Sequence, residues 1–221
     1  MTEPQASIPQ KTLRRRALFP YLFESLAREV TLTVLDFRPG ERVLEVGTGT
    51  GEWFLKMATL VGPKGRAVGV DASPEAVRVA QARLQEVRYQ NFEITVGDIG
   101  DLSLAPASFD AICCAFVVDR IPDSETPRAL EEITRLLKPG GRLALCGLTP
   151  GERAVSRAVA RGWELAFRLT PKLTGRSRPR RLLDAALGAG LTLDRRLYLE
   201  QRGLPSEVLL LRRPSGLGVI S

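Results

Sequence analysis

The feature that most constrains this chain is the stretch 43–51, V-L-E-V-G-T-G-T-G, an apolar run that stops in three glycines at alternate positions. Val43, Leu44 and Val46 suit a strand buried on both faces. Gly47, Gly49 and Gly51 let the backbone turn tightly and approach a ligand closely, because none carries a Cβ. Residues 52–61 then read as a helix with Trp53, Phe54, Met57, Ala58 and Val61 on its apolar side. A strand, a glycine turn and a helix N-terminus make a nucleotide-binding corner. A lone glycine loop is unspecific, so its companions downstream have to decide the case.

Those companions alternate between strand and helix. Strands are expected at 67–70, 92–96, 109–116 and 142–146, the last after the tight turn Lys138-Pro139-Gly140-Gly141. Helices are expected at 76–87 and 125–137, with 119–123 a loop. Ser73 can cap the first of these, Pro74 fits its first turn, and Glu75 complements its dipole. Upstream, residues 19–35 carry Leu22, Leu26, Val30 and Val34 at helical spacing. That helix packs on the sheet edge, covers the cofactor, or does both. Beyond 149 the rhythm changes. Residues 153–169 read as a helix with Val155, Val159, Trp163 and Phe167 spaced by four, and 176–181 is rich in Arg and Pro. A helix near 180–187 and two strands, 192–199 and 206–211, close the chain as an antiparallel hairpin. The fold class is therefore α/β: a Rossmann-like, doubly wound, mostly parallel seven-stranded sheet with a C-terminal antiparallel hairpin. The chain divides into an N-terminal arm and cap helix (1–37), a cofactor-binding core (38–150), an arginine-rich substrate-side insertion (151–181), and the last helix and hairpin of the same domain (182–221).

Composition narrows the chemistry. The chain has no histidine, which removes the commonest general base and the commonest metal ligand. Cys113, Cys114 and Cys146 fall in buried strands without C-x-x-C spacing and read as reduced core residues, so no metal site is expected. The net charge of +7 is local: residues 151–202 hold 12 basic and 5 acidic side chains, whereas 41–150 hold 12 and 15. This indicates one basic surface on a slightly acidic body. No apolar run reaches the roughly 18 residues that span a bilayer. The first residues lack a basic-then-apolar leader, so a cytoplasmic setting is expected, with peripheral membrane contact as its extension.

Four motifs stand in order: V-L-E-V-G-T-G-T-G at 43–51, G-V-D-A-S at 69–73, V-G-D-I at 96–99 and L-L-K-P-G-G-R-L at 136–143, with F-D-A-I at 109–112. Over about residues 38–150 the chain resembles the class I S-adenosylmethionine-dependent methyltransferases, and within them the ubiquinone/menaquinone-biosynthesis type. The resemblance implies S-adenosyl-L-methionine as cofactor and S-adenosyl-L-homocysteine as product. It places Glu45 at the methionine amino end, and Gly47, Thr48, Gly49 and Gly51 in the loop against the amino-acid part. Asp71 would accept the ribose hydroxyls, with Ala72 flanking the adenine. Asp98 would accept from the adenine amino group while Ile99 packs on the ring. Ala115 and Phe116 would line the methyl-donor side. Structural readings stand beside these: Glu45 and Asp98 as turn or loop acids, Asp71 as a helix N-terminal acid.

Methyl transfer from a sulfonium needs alignment and exclusion of water more than a strong base. A carbon acid or hydroxyl acceptor would still be helped by one. Asp119, Glu24 and Tyr21 are the candidates, with Asp119 alternatively a loop acid paired with Arg120. The acceptor is expected to be a small or amphiphilic, quinone- or lipid-like molecule. The arginines of 151–181 would face anionic headgroups, track RNA phosphates in an RNA methyltransferase, or form a solvated helix face. A non-catalytic S-adenosylmethionine-binding protein is the remaining alternative, and monomer and homodimer both stay open.

Overall fold

The computed structural model describes residues 24–85, 91–171 and 174–216. In chain order they form helix α1 over 24–35, β1 (Arg42–Val46), α2 (Glu52–Val61), β2 (Arg66–Asp71), α3 (Pro74–Leu84) and β3 (Phe92–Val96). Then come β4 (Phe109–Ala115), α4 (Thr126–Leu136), β5 (Leu137–Leu148), α5 (Ala154–Leu169), α6 (Leu183–Gly188), β6 (Thr192–Gln201) and β7 (Leu204–Arg212). The seven strands lie in the order β3-β2-β1-β4-β5-β7-β6. The first five are parallel, and β7 and β6 run antiparallel. The closing hairpin is thus inserted with its second strand inward, against β5. Its link is shorter than the sequence suggests: Arg202 (φ 53°) and Gly203 (φ 79°) form a two-residue turn with both residues left-handed, which matches the twist of paired strands.

Helices cover both faces of the sheet. One buried cluster joins α1, α2 and α3 to the sheet through Leu35, Phe54, Met57, Val77 and Leu84. The other joins α4 and α6 through Leu130, Ile133, Leu136 and Ala186. Burial of a Leu, Ile or Phe side chain contributes about 1.5–3 kcal/mol, so these two layers hold the strand ends in place. Strand order reverses between β1 and β4, and in open α/β sheets the crevice at such a switch point is where ligands bind.

Three local expectations change. The buried face of α1 is Glu24, Ala27, Thr31, Leu32 and Leu35, whereas Leu26 is 45% exposed. Of the 22/26/30/34 stripe, Val30 and Val34 are half-buried and pack against the same cluster, so the stripe borders the packing face and Leu26 alone of its described residues turns outward. The face also takes in a charged residue, Glu24, and a hydroxyl, Thr31, which hydrophobic periodicity cannot register. On α5, Val155 is 71% exposed and Ser156 and Ala160 are buried, while Val159 and Trp163 of the expected stripe are half-buried and pack against the first cluster. Lys138-Pro139-Gly140-Gly141 is not a separate turn before a strand. It is a bulge inside β5, where Phe109 pairs with Leu137 and Ala111 already pairs with Arg142. Left-handed Gly140 (φ 77°) makes the bulge possible, and its N–H donates to the Arg213 carbonyl. The loop expected at 119–123 contains two short 3-10 turns, Val118–Arg120 and Asp123–Glu125.

α1 is fastened at both ends. The Leu26 N–H donates to Gln201 Oε1 at 2.9 Å, and Arg142 Nε donates to the Leu35 carbonyl at 2.9 Å while its guanidinium pairs with Glu41.

Candidate functional site

The crevice is floored by the glycine loop, and each glycine has its own reason. Gly47 (φ 81°) would drive a Cβ to within 2.2 Å of Val117 Cγ2. Gly51 (φ 79°) abuts Ala80 of α3 at 2.9 Å. Gly49 (φ 53°) has no atom within 4 Å of a built Cβ, so it faces open space. The N–H groups of Gly47 and Thr48 both donate to the Val70 carbonyl, at 2.7 and 3.3 Å. The Gly49 N–H donates to Asp71 Oδ2 at 2.8 Å. These donors are consumed inside the protein, so the loop meets a ligand with carbonyl oxygens and nearby carboxylates, a set suited to a cation.

Asp71 ends β2 and ties two loops together. Its second oxygen accepts the Ser73 N–H at 2.9 Å, and each oxygen keeps a lone pair for a hydroxyl. Ala72 beside it is exposed. Asp98, after β3, is exposed and accepts the Gly100 N–H at 2.7 Å, while Ile99 next to it is buried. Glu45, at the end of β1, is 2% exposed and its Oε2 has no hydrogen-bond partner. Burial pushes its carboxyl up to about 8; Arg28 opposes that shift and Asp71 adds to it. Thr48 is also buried with an unpartnered Oγ1.

Ala115 ends β4, and Phe116 follows it outside the strand with a left-handed φ of 57°. That conformation costs a non-glycine residue about 1–2 kcal/mol. It persists because the ring is fully buried, the Phe116 N–H donates to the Cys146 carbonyl at 2.8 Å, and the Arg28 guanidinium stacks over the ring at 5.2 Å. Strain of this kind concentrates at ligand sites.

The base candidates separate. Tyr21 lies outside the described residues. Glu24 is held by two guanidiniums, Arg28 at 2.9 Å on one oxygen and Arg120 at 2.9 Å on the other. The pairing of Asp119 with Arg120 is replaced by this Glu24–Arg120 bridge. Asp119 is fully buried; Ser177 Oγ donates to its Oδ2, and Oδ1 has no partner. Burial raises its pKa, with Arg120 and the Ser177 hydroxyl opposing. Arg28 and Ser177 were not among the expected site residues. Nothing local marks them: Arg28 is one charged residue of an amphipathic helix, and Ser177 is distant from Asp119 in sequence.

S-adenosylmethionine is cationic at its sulfonium and ammonium and offers two ribose hydroxyls. An orphaned buried carboxylate at Glu45, a paired-loop carboxylate at Asp71 and an open face at Gly49 fit that group. Among the described residues, no helix is long and apolar enough to cross a membrane.

A family model described as a methyltransferase domain matches residues 37–161. A demethylmenaquinone methyltransferase of Listeria welshimeri is 32% identical over 138 residues, which are 61% of this chain and 58% of that protein. A protein of the same name from Bacillus cereus is 30% identical over 116 residues, 52% of this chain and 48% of the relative. The chain thus spans about half the length of these relatives. Among solved structures, a SAM-dependent methyltransferase from Aquifex aeolicus superposes with a TM-score of 0.65 at 19% identity, covering 94% of this chain and 100% of that one. At this identity the likeness shows the fold alone.

Proposed function

Because the chain belongs to the methyltransferase-domain family, we propose that it is an enzyme that transfers a methyl group from S-adenosylmethionine to a small or amphiphilic, quinone-like acceptor. The observation that carries this reading is the buried Glu45 carboxyl with an unpartnered oxygen beside the glycine loop, on the strand next to the one that Asp71 ends. The quinone-like acceptor rests on the two named relatives.

Bound S-adenosylmethionine supplies a methyl carbon on a positively charged sulfur that leaves as a neutral thioether. The residues of this chain do the rest. Asp71 holds the ribose end through its free lone pairs and fixes the loop through Gly49. Glu45 neutralises the cationic methionine end. Asp98 and Ile99 flank the base end, one polar and one apolar. Ala115 and Phe116 wall the methyl side, with Arg28 stacked on the Phe116 ring. An acceptor that loses a proton on methylation would pass it to Asp119, whose Oδ1 is buried without a partner among the described base candidates.

Calorimetry with S-adenosylmethionine, S-adenosylhomocysteine and NAD tests the donor half. Micromolar binding of the first two is expected, with none for NAD. Asp71→Ala should weaken it about 10- to 100-fold, the effect of losing one charge-assisted hydrogen-bonding group. Failure of both adenosyl ligands to bind a folded protein would reduce the reading to a statement about the fold. Mass spectrometry after incubation with a demethylated naphthoquinol then tests the acceptor half.

A further inference from the structure

A cleft of about 590 Å³ opens between α5 and the segment 178–181, and no residue of the glycine loop lines it. Arg157, Arg161 and Arg168 enter it from one stripe of α5, and Arg178, Arg180 and Arg181 face them. Its only carboxylates are Asp123 and Glu164, so six guanidiniums meet two acids.

The acids are already used. Asp123 binds Arg178 at 2.9 Å and Arg180 at 2.6 Å, and Glu164 binds Arg168 at 3.1 Å. Arg180 is further fixed by donating to the Val118 carbonyl and to Thr126 Oγ1, both at 2.7 Å. Arg178 stacks on Phe167 at 5.5 Å. Arg157, Arg161 and Arg181 have no carboxylate partner among the described residues. A solvated helix face needs no such arrangement: two guanidiniums are locked at the base of the cleft and unpaired ones stand at its rim.

We propose that this cleft binds a phosphate-bearing ligand, its phosphoryl oxygens held by the forks of Arg161 and Arg181 above the fixed pair Arg178 and Arg180. Guanidiniums bind phosphate in a bidentate fashion, and a residual charge of about four calls for a multiply charged group rather than a single carboxylate. The volume lies in the range of small-ligand pockets, which favours a terminal phosphate or diphosphate over the continuous backbone of a nucleic acid. The phosphate can belong to a soluble compound or to a lipid headgroup. The inference does not depend on methyl transfer.

The test is calorimetric titration of the full chain with inorganic pyrophosphate at low salt, and co-sedimentation with phosphatidylglycerol vesicles against phosphatidylcholine vesicles. The site variant is Arg161→Ala/Arg181→Ala. Its charge-matched control is Arg195→Ala/Arg202→Ala, on exposed positions of β6 and the hairpin. We expect pyrophosphate binding to weaken about tenfold in the site variant and to stay within about twofold in the control. That result assigns a soluble phosphate source. The same pattern for anionic vesicles, without pyrophosphate binding, supports the site with a lipid source. Absence of both, or equal losses in both variants, overturns it. So does length-dependent binding of a single-stranded oligoribonucleotide that pyrophosphate does not displace, which would make the surface an RNA track. S-adenosylmethionine binding to the same preparations reports the fold and separates this outcome from failure of the methyltransferase reading.

Discussion

Methyl-donor binding should expel a proton from Glu45. The carboxyl is buried with one unpartnered oxygen, and burial raises it from 4.5 to about 8. At pH 7 the free protein therefore keeps the proton in about nine molecules of ten, and ionising the group there costs about 1.4 kcal/mol. A cation bound beside the carboxylate favours the charged form. Binding at pH 7 should release ~0.9 proton per site, and the apparent affinity should rise about tenfold per pH unit between roughly 5.5 and 7. Calorimetry at pH 7 in phosphate and in Tris reads the first quantity, because the observed enthalpies differ by the buffers' ionisation enthalpies times the protons released. Glu45→Gln should abolish both effects. The same shift sets the sign of stability against pH. A carboxyl whose folded pKa is raised stabilises the fold most below its unfolded value of 4.5, and that contribution is lost as pH rises through about 8. The Gln variant should therefore gain thermal stability over the parent at alkaline pH. Identical binding enthalpies in the two buffers would refute the reasoning, since Glu45 would then be ionised before the ligand arrives or would lie away from its charge.

The glycines should separate stability from binding. Gly47→Ala combines left-handed strain with a clash against Val117 and should destabilise the fold by about 2–4 kcal/mol in urea denaturation. Gly49→Ala should lower stability by only about 1 kcal/mol yet weaken donor binding, because its Cβ enters the open face of the crevice. Equal stability losses would contradict this assignment. Asp119→Asn should lower kcat about 100- to 10,000-fold with donor affinity retained, and an unchanged kcat would place the proton acceptor elsewhere. Cys113, Cys114 and Cys146 are buried free thiols, and burial raises all three, Cys114 to about 12. They should resist a disulfide-exchange reagent at neutral pH until the protein is denatured, so rapid labelling of the native chain would show the strands to be open.

Most of the parallel body was legible in the residues. Buried strands that must be covered on both faces are written as short apolar runs, and the turns between them require glycine wherever φ is positive or backbones touch. Gly47, Gly51 and Gly140 meet those requirements in the structure. The ends of β1 and β2 likewise follow from local sequence, which puts Glu45 and Asp71 at one edge of the sheet. Charge was legible only as an excess in 151–202.

What that charge contacts was decided by tertiary structure. The packing face of α1 holds Glu24, buried between Arg28 and Arg120, and beside it the half-buried Arg28 stacks over Phe116. A pattern of apolar positions cannot encode this, since a charge becomes tolerable in an interior only when its counter-ion arrives from elsewhere in the chain. The exchange of Arg120 for Ser177 as the partner of Asp119 has the same origin, as does the sharing of Asp123 by Arg178 and Arg180. The sequence by itself determined where the backbone must turn and which strands must be buried, because sterics and hydrophobic burial act through near neighbours. Only the folded chain decided which charges meet, because electrostatic pairing is set by distances between segments far apart in sequence.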